Sequence, residues 1–157
     1  MLIDLETAKL HLRIDGAAED ALIEMWIVAA ERWVSAYLNR GVYVDQDALT
    51  GALGSAPAAL AAASAAYGAA VTEAYDLPWG AQRQEALEMA SSNFRRAEAA
   101  VRMARWGMVA DELIRTAVLL VLAHLYENRQ EVQGSAANQI PMGVRDLLQP
   151  YRLGLGA

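Results

Sequence analysis

Residues 113–125, LIRTAVLLVLAHL, constrain the fold more than any other part of the chain. Apart from Arg115 and Thr116, this segment is apolar on nearly every side when it is wound into a helix. Such a helix must be covered by other elements all round, so we expect it in the middle of a bundle. Its longest unbroken apolar run, Ala117–Ala123, is far below the roughly 18 residues that cross a bilayer. The sequence therefore predicts a soluble, all-α protein whose central helix runs from Asp111 to about Val132.

Two helices are predicted in the first 40 residues of the chain. Asp4 is a candidate N-cap for a short helix that continues to about Leu12. A longer amphipathic helix follows, capped by Asp15 or Gly16 and ending near Asn39. Its predicted buried stripe recurs at three- and four-residue steps and consists of Leu22, Met25, Trp26, Ala29, Ala30, Trp33, Val34 and Tyr37.

Residues 41–110 are predicted to form a segment inserted between the second helix and the central one. The part through Pro57 is less regular, and Val42–Val44 allows one edge strand. Alanine is in the majority from Ala58 to Tyr75, which favours a helix. A second helix is expected from Gln82 to about Met108. Together these two helices are expected to form an αα-hairpin.

The last part of the sequence, residues 140–157, is predicted to be a docking segment. Pro141 and Pro150 bound a short helix, VRDLLQ, and the glycine-containing tail after it is expected to be extended. We expect Leu147, Leu148 and Tyr151 to pack on the other helices of the subunit. The whole chain, residues 1–157, is thus interpreted as one helical domain, a small bundle with an inserted αα-hairpin and a short C-terminal helix.

Composition and motifs argue against an enzyme. The chain has no cysteine and only two histidines, His11 and His124, and neither has a carboxylate or second histidine four residues away within its own predicted helix. No nucleophile elbow, phosphate-binding loop or dinucleotide-binding motif is present. We therefore expect no catalytic residues, no cofactor and no metal. His124 is interpreted as a structural histidine with Asn128 one turn on.

The densest basic patch lies on the second helix of the hairpin, at Arg95, Arg96, Arg102 and Arg105. Glu98 precedes Arg102 by four residues and can pair with it, which indicates a solvated, salt-bridged face. The alternative is a contact surface for an acidic partner, because arginine suits fixed interface contacts. The net charge of −6 opposes tight binding to a DNA backbone.

A further candidate surface lies where the central helix leaves the core. Leu122 and Leu125 continue the buried stripe, and the polar residues after them are predicted to contact another protein. The tail is a second candidate contact, for a neighbouring subunit or another partner. The full set of candidate interface residues is Arg102, Arg105, Glu127, Arg129, Gln130, Arg152, Leu153 and Leu155.

Two blocks of the sequence resemble the head–tail connector, or adaptor, proteins of tailed phages. The first is LETAKLHLRID followed by EDALIEMWIVAAERWVSAYLNR, and the second is IRTAVLLVLAHLYENRQEV followed by IPMGVRDLLQPYRLG. The blocks cover Leu2–Arg40 and Glu112–Gly154, and their joint order carries the resemblance. Residues 41–110 show no recognisable family pattern.

The resemblance implies a helical subunit that assembles as a homo-oligomeric ring of about twelve copies. The ring would lie in the neck of the virion, join the portal protein to a tail-side stopper or tail-completion protein, and extend the DNA channel. DNA would only pass through, no membrane would be involved, and the protein would be made in the host cytoplasm. No catalysis is implied.

Two other function classes stay open. One is a different phage packaging or assembly module, such as a terminase-associated helical protein that binds DNA ends, which an exposed basic recognition helix would favour. The other is an enzyme, which a pocket joining His124 to a carboxylate of another helix would favour.

Overall fold

The computed structural model of the protein describes residues 1–128 and 142–154. Six α-helices dominate this part of the chain, and the strands within it are two residues long. The predicted all-α class is thereby confirmed. The elements are α1 (Leu5–Leu12), α2 (Asp20–Leu38), β1 (Val42–Tyr43), α3 (Gln46–Asp76), α4 (Ala81–Arg105), β2 (Met108–Val109), α5 (Glu112–Glu127), α6 (Met142–Leu148) and a 3₁₀ turn, Gln149–Tyr151.

The described residues fall into two compact units. The first takes in residues 1–46 and the described residues from 108 onward, and the second is Asp47–Gly107. Helices α2 and α5 form the centre of the first unit, α1 packs on both of them, and α6 packs on α5. The fully buried side chains of the two central helices are mostly aliphatic: Ile23, Ile27, Ala30, Val34, Leu38, Ile114, Ala117, Val118, Val121 and Leu122. Helix α5 is central to this core, as predicted, but it is not covered on every side, since Leu113 and Leu120 are exposed.

Aspartate side chains cap α1 and α5. Oδ1 of Asp4 accepts a hydrogen bond from the backbone N–H of Thr7 at 2.7 Å, as the sequence predicts. Oδ1 of Asp111 accepts from the backbone N–H of Ile114 at 2.9 Å. Each carboxylate therefore satisfies a donor that the first turn of its helix leaves open.

The start of α2 differs from the prediction. The helix begins at Asp20, with Glu19 in the cap position and no side-chain cap bond. Gly16 has a φ of +91°, which is a left-handed backbone that glycine adopts readily and that belongs to the connection after α1. Neither Asp15 nor Gly16 caps this helix.

The buried face of α2 is also not the predicted one. The helix buries Ile23, Ile27, Ala30, Val34 and Leu38, while Trp26, Trp33 and Tyr37 pack at the margin of the core. From the predicted stripe, Leu22, Met25 and Ala29 are instead exposed. Because α2 is apolar on two sides, both faces satisfy the three- and four-residue periodicity, and packing against α5 selects between them.

Strands β1 and β2 form one short parallel ladder, which pairs Val42 with Met108 and Tyr43 with Val109. The backbone N–H of Met108 donates to the carbonyl oxygen of Gly41 at 2.9 Å. Met108, expected near the end of a helix, is therefore in a strand. The ladder joins the chain just before and just after residues 47–107.

The second unit is a hairpin of α3 and α4 with very little core of its own. Helix α3 begins at Gln46, not at Ala58, and continues through Pro57. Proline removes one backbone hydrogen bond, and the long run of good helix formers after it outweighs that loss. Of this unit's residues only Ala74 and Ala90 are buried.

Helix α3 is the one described helix that is long and apolar enough to cross a membrane, by length and composition alone. Its most apolar 18-residue window has a mean hydropathy of 1.3, and none of that window is buried. Alanine accounts for most of this value. The large aliphatic residues of α3 are only Leu49, Leu53, Leu60 and Val71.

The described part of the C-terminal segment packs on the other helices of the first unit. Val144 and Leu148 of α6 are buried in the common core, and Tyr151 packs against it, as predicted for Leu148 and Tyr151. Pro150 lies within the 3₁₀ turn that follows α6. The backbone N–H of Leu153 then donates to the carbonyl oxygen of Leu38 at 3.0 Å, which holds the start of the tail on the end of α2.

Candidate interaction surfaces

The C-terminal end of α5 is tied to the N-terminal end of α2. Tyr126 donates its hydroxyl hydrogen to Oε2 of Glu19, with the two oxygens 2.7 Å apart. The Tyr126 ring also meets that of Trp26 edge-on, with 5.4 Å between the centroids. Glu127 comes directly after this fixed tyrosine and is exposed, so its carboxylate is available to a partner.

The other members of this predicted cluster have different places. Nδ2 of Asn128 lies 3.2 Å from Nδ1 of His124 and donates to the carbonyl oxygen of His124 at 2.8 Å. The prediction of a hydrogen-bonded histidine is thereby confirmed. Arg129 and Gln130 lie outside the described residues.

The outer face of α2 is apolar and open to solvent. Leu22, Met25 and Val28, which we call the α2 outer stripe, are 36%, 57% and 39% exposed. They follow one another at three-residue steps and so lie on successive turns of the same side of the helix. On α5, Leu113 and Leu120 are also exposed. Contiguous apolar surface of this kind marks contact sites in soluble proteins.

Helix α4 presents three exposed arginines on one face: Arg95, Arg102 and Arg105, which we call the basic stripe. Arg102 and Arg105 line a shallow depression together with the Trp106 ring. Arg96 is exposed too, but it lies about a quarter turn round the helix from Arg95. The basic stripe brings two of the predicted interface residues, Arg102 and Arg105, together.

The expected salt bridge within this patch does not form. Glu98 and Arg102 make no ion pair within 4.0 Å, whereas Lys9 and Asp20 in the first unit do so at 2.6 Å. Glu98 and Arg102 are both exposed, and water solvates each charge at less entropic cost than holding two long side chains in one geometry. The arginines are therefore left to solvent or to a partner.

A single arginine holds the turn of the hairpin. The guanidinium of Arg83 donates to the carbonyl oxygens of Leu77 and Tyr75, the bond from Nη2 to Tyr75 being 2.9 Å long. The same group stacks near the rings of Tyr75 and Trp79, at 5.5 and 5.6 Å from their centroids. Trp79 is 88% exposed, so the turn carries a large aromatic surface.

The tail residues predicted as interface candidates lie against α2. The Arg152 guanidinium sits 5.1 Å from the centroid of the Tyr37 ring, and its Nε donates to the carbonyl oxygen of Tyr37 at 3.1 Å. Leu153 is half-buried next to it. Leu155 lies outside the described residues. The first two residues of the tail are thus fixed on their own subunit.

Within residues 1–128 and 142–154, no group of three or more histidine and carboxylate side chains is placed to hold a metal ion. The surroundings of Asp111 lower the pKa of its carboxyl group. Burial acts to raise its pKa, but hydrogen bonds from Tyr151 and from backbone N–H groups outweigh burial and lower it. These contacts belong to a helix cap, so the geometry favours interaction surfaces over a reaction centre.

Sequence reasoning found the basic stripe and missed the α2 outer stripe. The signal for the latter was present, because Leu22 and Met25 alternate with Ile23 and Ile27 and so make α2 apolar on two sides. Because only one apolar face of α2 packs in the core of the subunit, the other apolar face can contact a partner.

Comparison with known proteins points to one family. The model of the phage gp6-like head-tail connector proteins matches residues 2–75, a range that takes in α1, α2, β1 and nearly all of α3. The match therefore extends past Arg40 into residues 41–75. This corrects the expectation that residues 41–110 show no family pattern. The match does not reach the second resembling block, Glu112–Gly154. No curated protein and no solved structure matches the chain.

Proposed function

The chain belongs to the phage gp6-like head-tail connector family, and on that premise we propose that it is an adaptor subunit whose copies form a ring between portal and tail. The family is one of structural virion components at the head–tail junction and is not known for enzymes. The proposal adds three properties to that family role: self-assembly, contact with the portal, and extension of the DNA channel.

The α2 outer stripe is the observation that carries self-assembly. Three large apolar side chains on consecutive turns of a central helix face solvent in the single subunit. Covering them against another copy would remove apolar surface from water at about 25 cal/mol per Å². A contact between two different faces of identical subunits closes into a ring when its rotation permits. About twelve copies is the number that the family resemblance implies.

The remaining partners follow from the position of such a ring. Glu127, with Arg129 and Gln130 after it, is proposed to face the portal protein or a tail-side stopper or completion protein. Arg152, Leu153 and Leu155 are proposed to add to that contact. DNA passes through the ring, and a net charge of −6 suits a channel that must not hold it. The protein would be made in the host cytoplasm before joining the virion neck.

Native mass spectrometry of the purified protein tests the proposal, with Met25→Asp as the interface variant. We expect the wild type to form a discrete closed oligomer and Met25→Asp to be monomeric at the same concentration. Leu10→Asp is the matched control, because Leu10 is 81% exposed on α1, outside the α2 outer stripe. A wild type that stays monomeric with and without portal protein contradicts the ring.

One observation favours the alternative, a packaging module that binds DNA ends. Helix α4 exposes four arginines, the kind of basic helix that such a module would use. The charge on the rest of the chain opposes it. Fluorescence anisotropy with a labelled DNA duplex separates the two, since an adaptor of the proposed kind should bind duplex weakly at physiological salt.

A further inference from the structure

The basic stripe combines charge with an aromatic ring on one side of α4. Arg102 and Arg105 follow Arg95 by seven and ten residues, which places all three within an arc of about 80° at about 100° per residue. Trp106 is 54% exposed and lies at the same end. Arginine and tryptophan are the side chains most enriched in the energetic centres of protein interfaces.

This positive charge is local in a negative chain. Four arginines and one glutamate give residues 91–107 a net charge of +3, which leaves −9 on the rest of a chain whose net charge is −6. Glu98 does not form an ion pair with Arg102. A second copy of the chain therefore offers the basic stripe acidic surface, whereas the net negative charge of the rest of the chain opposes binding of a DNA duplex.

The first unit has an acidic segment suited to the stripe. Residues 15–24 contain four carboxylates and no basic side chain. Two of the four are engaged within the subunit, Glu19 by Tyr126 and Asp20 by Lys9. Asp15 and Glu24 are exposed, and neither forms an ion pair with another described residue.

Apolar side chains accompany these carboxylates. Met25 and Val28 of the α2 outer stripe lie about 100° and 40° round the helix from Glu24, and both are exposed. The acidic segment thus presents negative charge next to apolar surface, and the basic stripe presents positive charge next to the Trp106 ring. The two surfaces match in both respects.

We propose that the basic stripe of one copy docks on residues 15–24 of the next copy. The arginines face Asp15 and Glu24, and Trp106 packs beside Met25 and Val28. The contact joins two different surfaces of the chain. Each copy carries both the basic stripe and residues 15–24, so a subunit bound through one of them can bind a further subunit through the other. This inference rests on the proposed self-assembly and assigns the surfaces that carry it.

Charge exchange within one chain tests the pairing. Arg95→Glu with Arg102→Glu should raise the concentration at which the protein assembles by at least about tenfold at about 0.15 M salt. Adding Asp15→Arg and Glu24→Arg to that chain gives the two exchanged positions of the stripe opposite charges again, so assembly should return to within about threefold of the wild type. Sedimentation velocity over a concentration series gives these values. Circular dichroism confirms that each variant is folded.

A matched pair of single variants locates the contact on α4. Arg102→Glu and Arg96→Glu make the same charge change on the same helix, but Arg96 lies off the basic stripe. We expect Arg102→Glu to weaken assembly and Arg96→Glu to leave it near the wild type. Equal effects of the two variants would show that net charge, and not this stripe, controls assembly, and would overturn the inference.

The remaining outcomes separate this inference from the proposed function. If the wild type assembles and the Arg95→Glu, Arg102→Glu variant assembles at the same concentration, the docking surface is wrong while the ring stands. If the wild type never self-associates, the ring and the docking surface both fall. If the variant loses duplex DNA binding that the wild type has, with assembly unchanged, the stripe serves DNA and the inference is overturned.

Discussion

Tyr151 donates a hydrogen bond through its hydroxyl to Oδ2 of Asp111, with the two oxygens 2.6 Å apart, although the residues are 40 positions apart in sequence. The same carboxylate caps α5 through its other oxygen. One side chain therefore fixes both the start of the central helix and the turn after α6. The hydrogen bond also raises the pKa of Tyr151, because the hydroxyl must keep its proton to donate.

This pair predicts a specific loss of stability in acid. The pKa of Asp111 is lowered in the folded state from its ordinary value of 3.8, so the folded state binds the proton less readily than the unfolded state. The stabilisation is complete well above pH 3.8 and is lost as the pH falls through the lowered folded value. Asp111→Asn keeps an N-cap acceptor and removes this titration. Between about pH 6 and pH 2, the urea concentration at the unfolding midpoint should therefore fall less in the variant than in the wild type. An unchanged decline would contradict the assignment.

Leu122 and Leu120 provide a matched test of the core. Both lie on α5, but Leu122 is fully buried and Leu120 is 36% exposed. Leu122→Ala should lower the free energy of unfolding by about 2–5 kcal/mol, because it removes buried methyl groups and leaves a cavity. Leu120→Ala should cost much less. Chemical denaturation measures both, and equal costs would mean that the two faces of α5 are covered alike in the protein in solution.

The alanine side chains of α3 differ in how far they are buried. Ala74 is buried and Ala62 is exposed. Ala74→Leu should therefore overpack the hairpin at about 1–3 kcal/mol, while Ala62→Leu should be nearly neutral in the isolated subunit. Thermal melts of both variants decide this. If Ala62→Leu also destabilises the protein, and does so only at concentrations where it assembles, the outer side of α3 is covered by another copy.

Helix α3 should not insert into lipid despite its length. Its apolar character comes from alanine, and Leu49, Leu53, Leu60 and Val71 are the only side chains in it that gain about 0.3–0.6 kcal/mol each on insertion. Asp47 and Glu73 near its ends and Pro57 within it add further cost. Flotation with neutral phosphatidylcholine vesicles should leave the protein in the bottom fraction. Protein that floats with the vesicles would show that the apolar length of α3 outweighs its charged ends.

Local signals in the sequence predict the Asp4 cap and the existence of the helices, but not the starts of α2 and α3. Asp4 and Asp111 act through neighbours three residues away, so their roles can be recognised in a short window. The hydrogen bond between Asn128 and His124 is equally local. Helix α3 begins at Gln46 and not at the expected Ala58, because residues 46–57 extend the alanine-rich helix despite Gly51, Gly54 and Pro57.

Choices that depend on distant residues could not be predicted in this way. Which side of α2 faces inward depends on α5, some ninety positions later, and periodicity accepted Leu22 and Met25 as readily as Ile23 and Ile27. The contact between Tyr126 and Glu19 is likewise invisible in a local window. For the same reason the sequence predicts a patch of arginines on α4, but it does not predict that these arginines form no ion pair with another described residue.

The short ladder between β1 and β2 makes the first unit tolerant of what lies between its two strands. Since Val42 and Met108 are partners in the ladder, the chain can leave after one strand and return at the other without moving either. Doubling the length of a flexible connection costs only about 0.6 kcal/mol of closure entropy. Insertions or deletions between the two strands are then expected to leave the packing of α2 on α5 in place. The hairpin can therefore change in length without altering the framework of the first unit.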